Sequence, residues 1–133
     1  MAAEGLITVQ SSHGPEVTMN RFEGEVRSRG MTVFAHIDHA AGGAAASPSL
    51  RPTDLLIFGN TKGGTPLMQA AQTIGIDLPL KALVWQDASG TTWLSYNDPN
   101  WLAQRHGLDE TTEAAIKAMS QMLEAIVSKA TGP

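Results

Sequence analysis

The sequence contains no cysteine among its 133 residues. This absence excludes disulfide bonds, thiolate nucleophiles and zinc sites that depend on cysteine ligands. Clustered positive charge is also missing: 9 basic residues are interleaved with 13 acidic ones, and the formal net charge is −4. Strong nucleic-acid binding needs clustered lysine and arginine to displace counterions, so we expect no nucleic-acid partner.

Long apolar runs are missing as well. No window reaches the roughly 20 apolar residues that a membrane-spanning helix needs, so we expect no membrane partner. The first ten residues, MAAEGLITVQ, have neither the positive region nor the apolar core of a signal peptide. These absences together predict a soluble, cytoplasmic protein.

The composition that remains is that of a globular domain, with 42% hydrophobic and 17% charged residues. A chain of this length can bury a sufficient core without disulfide or metal cross-links. No linker composition and no internal repeat divides it. We therefore expect one domain over residues 1–133.

The segment of residues 54–74, DLLIFGNTKGGTPLMQAAQTI, is the centre of the predicted fold. Its consecutive apolar residues after Asp54 predict a buried strand, and a glycine-rich turn follows. Thr65 and Pro66 have the residue types of a helix start, and Gly75 has that of a helix end.

Three further elements are predicted before this segment. The apolar residues in 5–10 favour a strand, and Met19, Phe22 and Val26 have the spacing of one helix face. Residues 31–38 alternate in polarity, which is typical of a strand with one core face. That alternation places Phe34, His36 and Asp38 together on the opposite face.

Residues 39–50 are rich in alanine, glycine and serine and predict a loop. After the central segment, residues 81–87 and 91–97 predict a β-hairpin, because Ala88-Ser89-Gly90 suits a short turn. Two more helices are predicted, one beginning at Asp98-Pro99 and one running from about Asp109 to Lys129.

These elements predict an α+β fold, a two-layer sandwich with helices on one face of a mixed, mostly antiparallel sheet of about five strands. The uncovered face is expected to carry Phe34, His36 and a hairpin tryptophan. A half-apolar open face of this kind favours a partner, and we expect a homodimer.

Several stretches resemble the family called domain of unknown function 302, and in this order they cover nearly the whole chain. They are DHAAG at 38–42, RPTDLLIFGN at 51–60, GTPLM at 64–68, LPLKALV at 78–84 and YNDP at 96–99. The resemblance implies a small α+β domain of bacteria and archaea that forms a homodimer and has no established reaction. Two departures are Thr61, where the family has proline, and residues 43–49.

The glycine-rich turn is the first candidate site. Gly59 and Gly64 have the spacing of the P-loop glycines, but the lysine and hydroxyl residues that should follow are not placed, which argues against ATP or GTP hydrolysis. A smaller anion, a carboxylate or phosphate, could bind the N–H groups and the ammonium of a set of five residues: Asn60, Lys62, Gly63, Gly64 and Thr65. The alternative is that the glycines serve only the turn and Thr65 caps its own helix.

The second candidate is a group of three neighbouring residues, His36, Asp38 and His39. Two imidazoles and a carboxylate could form a metal shell, but no fourth ligand is evident, so no metal or cofactor is predicted. The same residues could act as a general base, since an aspartate beside a histidine holds its tautomer. The alternative is that Asp38 caps the following segment and the histidines are solvated.

Three hypotheses remain open from the sequence. The first is a dimeric domain that binds a small anionic or polar ligand at the glycine-rich turn. The second is a small cofactor-free enzyme whose His/Asp base lies beside that turn. The third is a protein-interaction module with no ligand site. A cavity shared by the turn and the segment at Asp38-His39 would separate the first two from the third.

Overall fold

The computed structural model describes residues 3–43 and 49–133. Within these ranges, five strands form one sheet in the order β1-β5-β4-β3-β2. The strands are β1 (Leu6–Gln10), β2 (Thr32–Asp38), β3 (Thr53–Gly59), β4 (Leu80–Gln86) and β5 (Thr92–Asn97). Each neighbouring pair is antiparallel. The predicted α+β sandwich is confirmed, with the antiparallel pairing complete among these strands.

Five α-helices of the described chain accompany the sheet, and the two long ones, α1 and α5, pack together. The helices are α1 (Pro15–Ser28), α2 (His39–Gly42), α3 (Thr61–Ala70), α4 (Pro99–Arg105) and α5 (Glu113–Thr131). Short 3₁₀ segments lie at Gln72–Asp77 and Glu110–Thr112. Within the described ranges no helix is long and apolar enough to cross a membrane.

The core lies between the sheet and the α1–α5 layer. Phe22 and Val26 of α1 are fully buried against Leu56 and Phe58 of β3, and the rings of Phe22 and Phe58 meet edge to face at 5.2 Å. Alternate residues of each strand face this core, because side chains on a strand point to opposite faces in turn. The helical spacing read from the sequence of α1 therefore identified its buried face correctly.

The other face of the sheet has no helix over it in the described chain. Leu55 pairs with Leu83, and Trp85 pairs with Trp93, so these side chains share the open face. The two indole rings stack at 6.2 Å. The expected half-apolar open face exists, and it carries both hairpin tryptophans.

One expectation for this face was wrong. The register of β2 shifts between Val33 and Ala35, so that His36 pairs with Leu56, a core residue. A β-bulge adds one residue to a strand and reverses the alternation beyond it. His36 therefore lies on the helix-covered face, while Ala35 and Ile37 take the open one.

The central helix also begins earlier than predicted. Asn60, rather than Thr65, is its N-cap: the Asn60 Oδ1 accepts the Lys62 N–H at 2.9 Å. The glycines are thus helical residues, and α3 ends at Ala70 instead of near Gly75. Thr61, which stands where the family has proline, is the first helical residue, a position that accepts proline equally well.

The predicted loop at 39–50 contains a short helix, α2, which begins where Asp38 accepts the Ala41 N–H. An aspartate cap of this kind was the alternative reading of Asp38 from the sequence. Residues 44–48, which include most of the departure from the family pattern, lie outside the described residues.

Candidate functional site

A cavity of about 740 Å³ opens beside the first turn of α3. Four parts of the chain form it: the junction between α1 and β2, the β3–α3 turn, the segment before β4, and one face of α5. Its described lining consists of Arg29, Met31, Phe34, Gly59, Asn60, Thr61, Lys62, Gly63, Gly64, Pro66, Met68, Leu78, Pro79, Leu80, Ala115, Ala118, Met119 and Met122.

The cap at Asn60 fixes the floor of this cavity. The Asn60 side chain accepts the Lys62 N–H at 2.9 Å, and its backbone carbonyl accepts those of Gly63 at 3.0 Å and Gly64 at 3.2 Å. The amides predicted to hold an anion therefore already have partners inside the protein. What remains for a ligand is the positive end of the helix dipole and the side chains around it.

Two cationic side chains reach the cavity, and the described lining contains no aspartate or glutamate. Arg29 follows the last turn of α1, where its Nε lies 4.0 Å from the Glu25 carboxylate. Lys62 is exposed, and no carboxylate of the described chain lies within 4.0 Å of its ammonium. The charge of the lining thus favours an anionic group.

Four of the five residues predicted to bind an anion line the cavity together: Asn60, Lys62, Gly63 and Gly64. Thr65 is not among the lining residues. Its hydroxyl donates to the Thr61 carbonyl at 2.7 Å, within the helix. That these five residues bind a ligand stays a prediction. It has the least support for Thr65, because Thr65 does not line the cavity.

The three residues predicted to act as a base do not line the cavity. Thr32 pairs with Gly59 at one end of the β2–β3 ladder, while Asp38 pairs with Asp54 at the other. Five residue steps along β3 correspond to about 17 Å at roughly 3.4 Å per residue. The structure therefore does not bring the Asp38-His39 segment to the cavity.

His36 has acidic neighbours, but Asp38 is not one of them in its ion pairs. The His36 Nε2 lies 3.4 Å from an Asp54 oxygen, and its Nδ1 lies 3.9 Å from a Glu23 oxygen. These contacts bridge α1 and β3 at the edge of the sheet. The assignment of His36, Asp38 and His39 to proton transfer stays a prediction, without the adjacent ligand cavity that motivated it.

No group of three or more histidine, aspartate or glutamate residues suited to a metal ion occurs in the ranges 3–43 and 49–133. The His36 contacts above and the contact of His106 with Asp77 at 2.5 Å are pairs or bridges between elements. These residues connect separate parts of the fold.

Sequence reasoning missed the cavity walls that α5 and the segment before β4 contribute. Neither Met119 and Met122 nor Arg29 was singled out from the sequence as a candidate site residue. No local pattern could identify them, because residues of α5 and of the α1–β2 junction come beside the glycine-rich turn only through tertiary packing. The cavity is a tertiary feature, and its polar part alone was visible in the sequence.

Comparison with known proteins gives relatives in Brucella. The chain is 52% identical over 115 residues to the fluoride-specific ion channel FluC 1 of Brucella suis biovar 1, a match that covers 86% of this chain and 45% of that protein. FluC 2 of Brucella melitensis biotype 1 matches with the same identity over 43% of its length. This chain thus spans less than half the length of these relatives.

A solved structure gives an independent match to the fold. The crystal structure of an uncharacterized conserved DUF302 protein from Bacillus stearothermophilus superposes with a TM-score of 0.83, over 96% of this chain and 99% of that one, at 21% identity. The sequence profile of the family described as domain of unknown function DUF302 matches residues 7–126. With nearly its whole length matched, the chain belongs to the DUF302 family.

Proposed function

We propose that this chain is a homodimeric binding domain whose cavity beside α3 holds a small anionic or polar ligand. The observation that carries the proposal is the lining of that cavity, where Arg29 and Lys62 supply positive charge and the described lining residues include no aspartate or glutamate. The first turn of α3 adds the partial positive charge of a helix N-terminus. A neutral cap, Asn60, leaves that charge uncompensated by the protein itself.

Titration with acetate and with inorganic phosphate, followed by amide NMR, tests the ligand part. We expect the amide resonances of residues 60–64 to shift at millimolar anion, and Lys62→Gln to weaken binding by about fivefold, the equivalent of the ~1 kcal/mol of an exposed charge contact. Lys117→Gln is the matched control, because Lys117 is an exposed lysine on α5 outside the cavity lining.

Shifts confined to other parts of the chain, or an equal loss in both lysine variants, would contradict the proposed site. No response to any anion would favour the alternative of a protein-interaction module. In that case the open face of the sheet becomes the functional surface.

The names of the Brucella relatives make fluoride a further candidate anion. We expect fluoride to bind here more weakly than acetate, because the mostly apolar cavity offers few donors to replace its hydration shell. The same titration with sodium fluoride decides between them. Stronger shifts with fluoride than with acetate at residues 60–64 would assign this domain a part in fluoride handling.

The homodimer is supported by the open face of the sheet, where Leu55, Leu83, Trp85 and Trp93 lie together and no described helix covers them. Sedimentation or light scattering at tens of micromolar protein tests it. We expect a dimer for the wild type and for Ile76→Glu, a change at a residue 73% exposed, and a monomer for Leu83→Glu. A monomeric wild type would remove the dimer from the proposal.

A further inference from the structure

The cavity beside α3 is much larger than a small anion requires. Its volume of about 740 Å³ lies within the range of roughly 300–1,000 Å³ that is usual for small-molecule sites. Acetate or phosphate at Lys62 would occupy only its polar corner and leave the rest to water. The ligand of the proposed site therefore needs an apolar part as well as a charge.

The apolar walls are formed by adaptable side chains from separate elements. Met31 precedes β2, Met68 belongs to α3, and Met119 and Met122 belong to α5. Methionine is unbranched and polarizable, and it fits apolar ligands of variable shape. Phe34 completes the wall although it is 51% exposed, a large apolar surface that a ligand would cover.

The charges decide which amphiphile fits. Arg29 comes from the end of α1 and Lys62 from the start of α3, so two elements bring positive charge to one cavity. A cationic amphiphile would meet like charge. A neutral one would leave Lys62 without a carboxylate partner in the described chain and Arg29 with only the Glu25 carboxylate at 4.0 Å. An anionic head with an apolar tail satisfies both parts of the lining.

We propose that the cavity binds a free fatty acid, with the carboxylate at Lys62 and Arg29 and the alkyl chain along the methionine wall of α5. This inference rests on the proposed function, whose anion site it extends. Each methylene that enters the cavity should tighten Kd by about fourfold, the equivalent of ~0.8 kcal/mol. Affinity should stop increasing once the chain fills the cavity.

The experiment is calorimetric titration of the protein with hexanoate, octanoate, decanoate and dodecanoate, each below its micellar concentration. We expect the stepwise increase in affinity described above, and weaker binding of 1-decanol and decylamine than of decanoate. Equal affinity across the series would overturn the inference. If acetate still shifted residues 60–64 in that case, the proposed anion site would stand without its apolar extension.

Two pairs of variants locate the ligand. Ala118→Phe should fill the cavity from α5 and weaken decanoate binding at least tenfold without affecting acetate binding. The control is Ala114→Phe, at an exposed position of the same helix outside the lining, which should leave the binding of both ligands unchanged. Arg29→Gln should weaken decanoate about fivefold, but Arg27→Gln, which also removes a pair with a glutamate four residues earlier, should not.

Thermal unfolding of each variant confirms that it is folded before binding is measured. Equal effects of the two alanine substitutions would overturn the placement of the alkyl chain along α5. Equal effects of the two arginine substitutions would overturn the placement of the carboxylate at Arg29. Binding to phosphatidylglycerol vesicles with no binding of free decanoate would also overturn it, since the surface would then be a membrane contact. If the wild-type protein bound neither decanoate nor acetate, the proposed function would be rejected as well.

Discussion

Two helix starts at opposite ends of the β2–β3 ladder use the same local chemistry. Asp38 caps α2 by accepting the Ala41 N–H, and Asn60 caps α3 by accepting the Lys62 N–H, each at 2.9 Å. Both residues have extended backbones, as N-caps do. Their surroundings differ: α2 has no buried residue, whereas α3 buries Gly64 and Leu67 and borders the cavity.

The two caps also differ in charge. Asp38 supplies a carboxylate to the positive end of α2, which compensates that helix dipole from within the chain. The Asn60 side chain accepts the Lys62 N–H without adding a charge. The partial positive charge at the start of α3 is therefore not compensated by the cap and can attract an external anion. A capping motif alone therefore does not make a binding site. The start of α3 differs from the start of α2 by its neutral cap, the two cationic side chains and the apolar wall of α5.

The largest expected effect concerns the packing beneath α3. Leu67 is fully buried with Ile74, Leu102 and Ile116, and Leu67→Ala should lower the free energy of unfolding by about 2–5 kcal/mol. The corresponding change at the other end, Ala41→Gly in α2, should cost no more than about 1 kcal/mol. Denaturant unfolding of both variants measures the difference, and equal losses would show that α2 is anchored as firmly as α3.

The second prediction tests the charge of the cap. Asn60→Asp keeps an equally good N-cap, so the free energy of unfolding should change by no more than ~1 kcal/mol. The new carboxylate repels an anion at Lys62, and acetate affinity should fall about tenfold, or ~1.4 kcal/mol. Asp38→Asn is the control at the other end and should leave acetate binding unchanged. Unaltered acetate affinity in Asn60→Asp would place the anion elsewhere.

The comparison of these two ends also explains what the sequence could and could not predict. Strand alternation, helical spacing and turn residues predicted the five strands, the α1 and α5 helices and the open face, because these depend on local periodicity. The polar corner of the cavity was visible because glycine, lysine and asparagine lie together at residues 59–64. The proximity of that corner to the methionines of α5 was not visible in the sequence, since it depends on packing between distant segments.

Two local predictions failed for identifiable reasons. The bulge between Val33 and Ala35 reversed the alternation of β2 and moved His36 to the helix-covered face, and no residue there signals a bulge. Thr65-Pro66 has the composition of a helix start, but Asn60 provided a cap five residues earlier and the helix tolerated Pro66 inside it. A competing cap of equal quality cannot be ranked from sequence alone.

The third prediction concerns the two glycines in the first turn of α3, Gly63 and Gly64. A Cβ at Gly63 would meet nothing within 4 Å, so Gly63→Ala should stabilise the protein by roughly 0.5–1 kcal/mol, the usual helical gain over glycine. At Gly64 a Cβ would lie 3.4 Å from Leu78 Cδ1, and Gly64→Ala should gain less. Thermal unfolding measures both. Stabilisation of Gly63→Ala with weaker acetate binding would indicate that the glycine admits a ligand to the backbone.

The smallest effect belongs to another turn that an aspartate stabilises, the hairpin between β4 and β5. The Asp87 carboxylate accepts the Trp93 Nε1–H at 2.9 Å and the backbone N–H groups of Ser89 and Thr91. These hydrogen bonds, that of Trp93 foremost, hold the pKa of Asp87 below its ordinary value of 3.8. Because the folded-state pKa is lowered, the ionised carboxylate stabilises the fold above pH 3.8, and this contribution is lost as pH falls through the folded-state pKa.

Trp93→Phe should therefore raise the pKa of Asp87 toward 3.8. The variant also loses part of the stacking with Trp85, so it should be less stable at all pH values. The informative quantity is the difference in the free energy of unfolding between wild type and Trp93→Phe. This difference should shrink as pH falls from 5 toward 2, because the wild type loses its additional carboxylate stabilisation in that range. Trp85→Phe is the control: the Trp85 Nε1–H donates to the Ser95 hydroxyl, so its difference from wild type should not follow pH in this way. A pH-independent difference for Trp93→Phe would mean that the charge of Asp87 adds nothing to the turn, and that Asp87 acts there through hydrogen-bond geometry alone, as the uncharged Asn60 does at the start of α3.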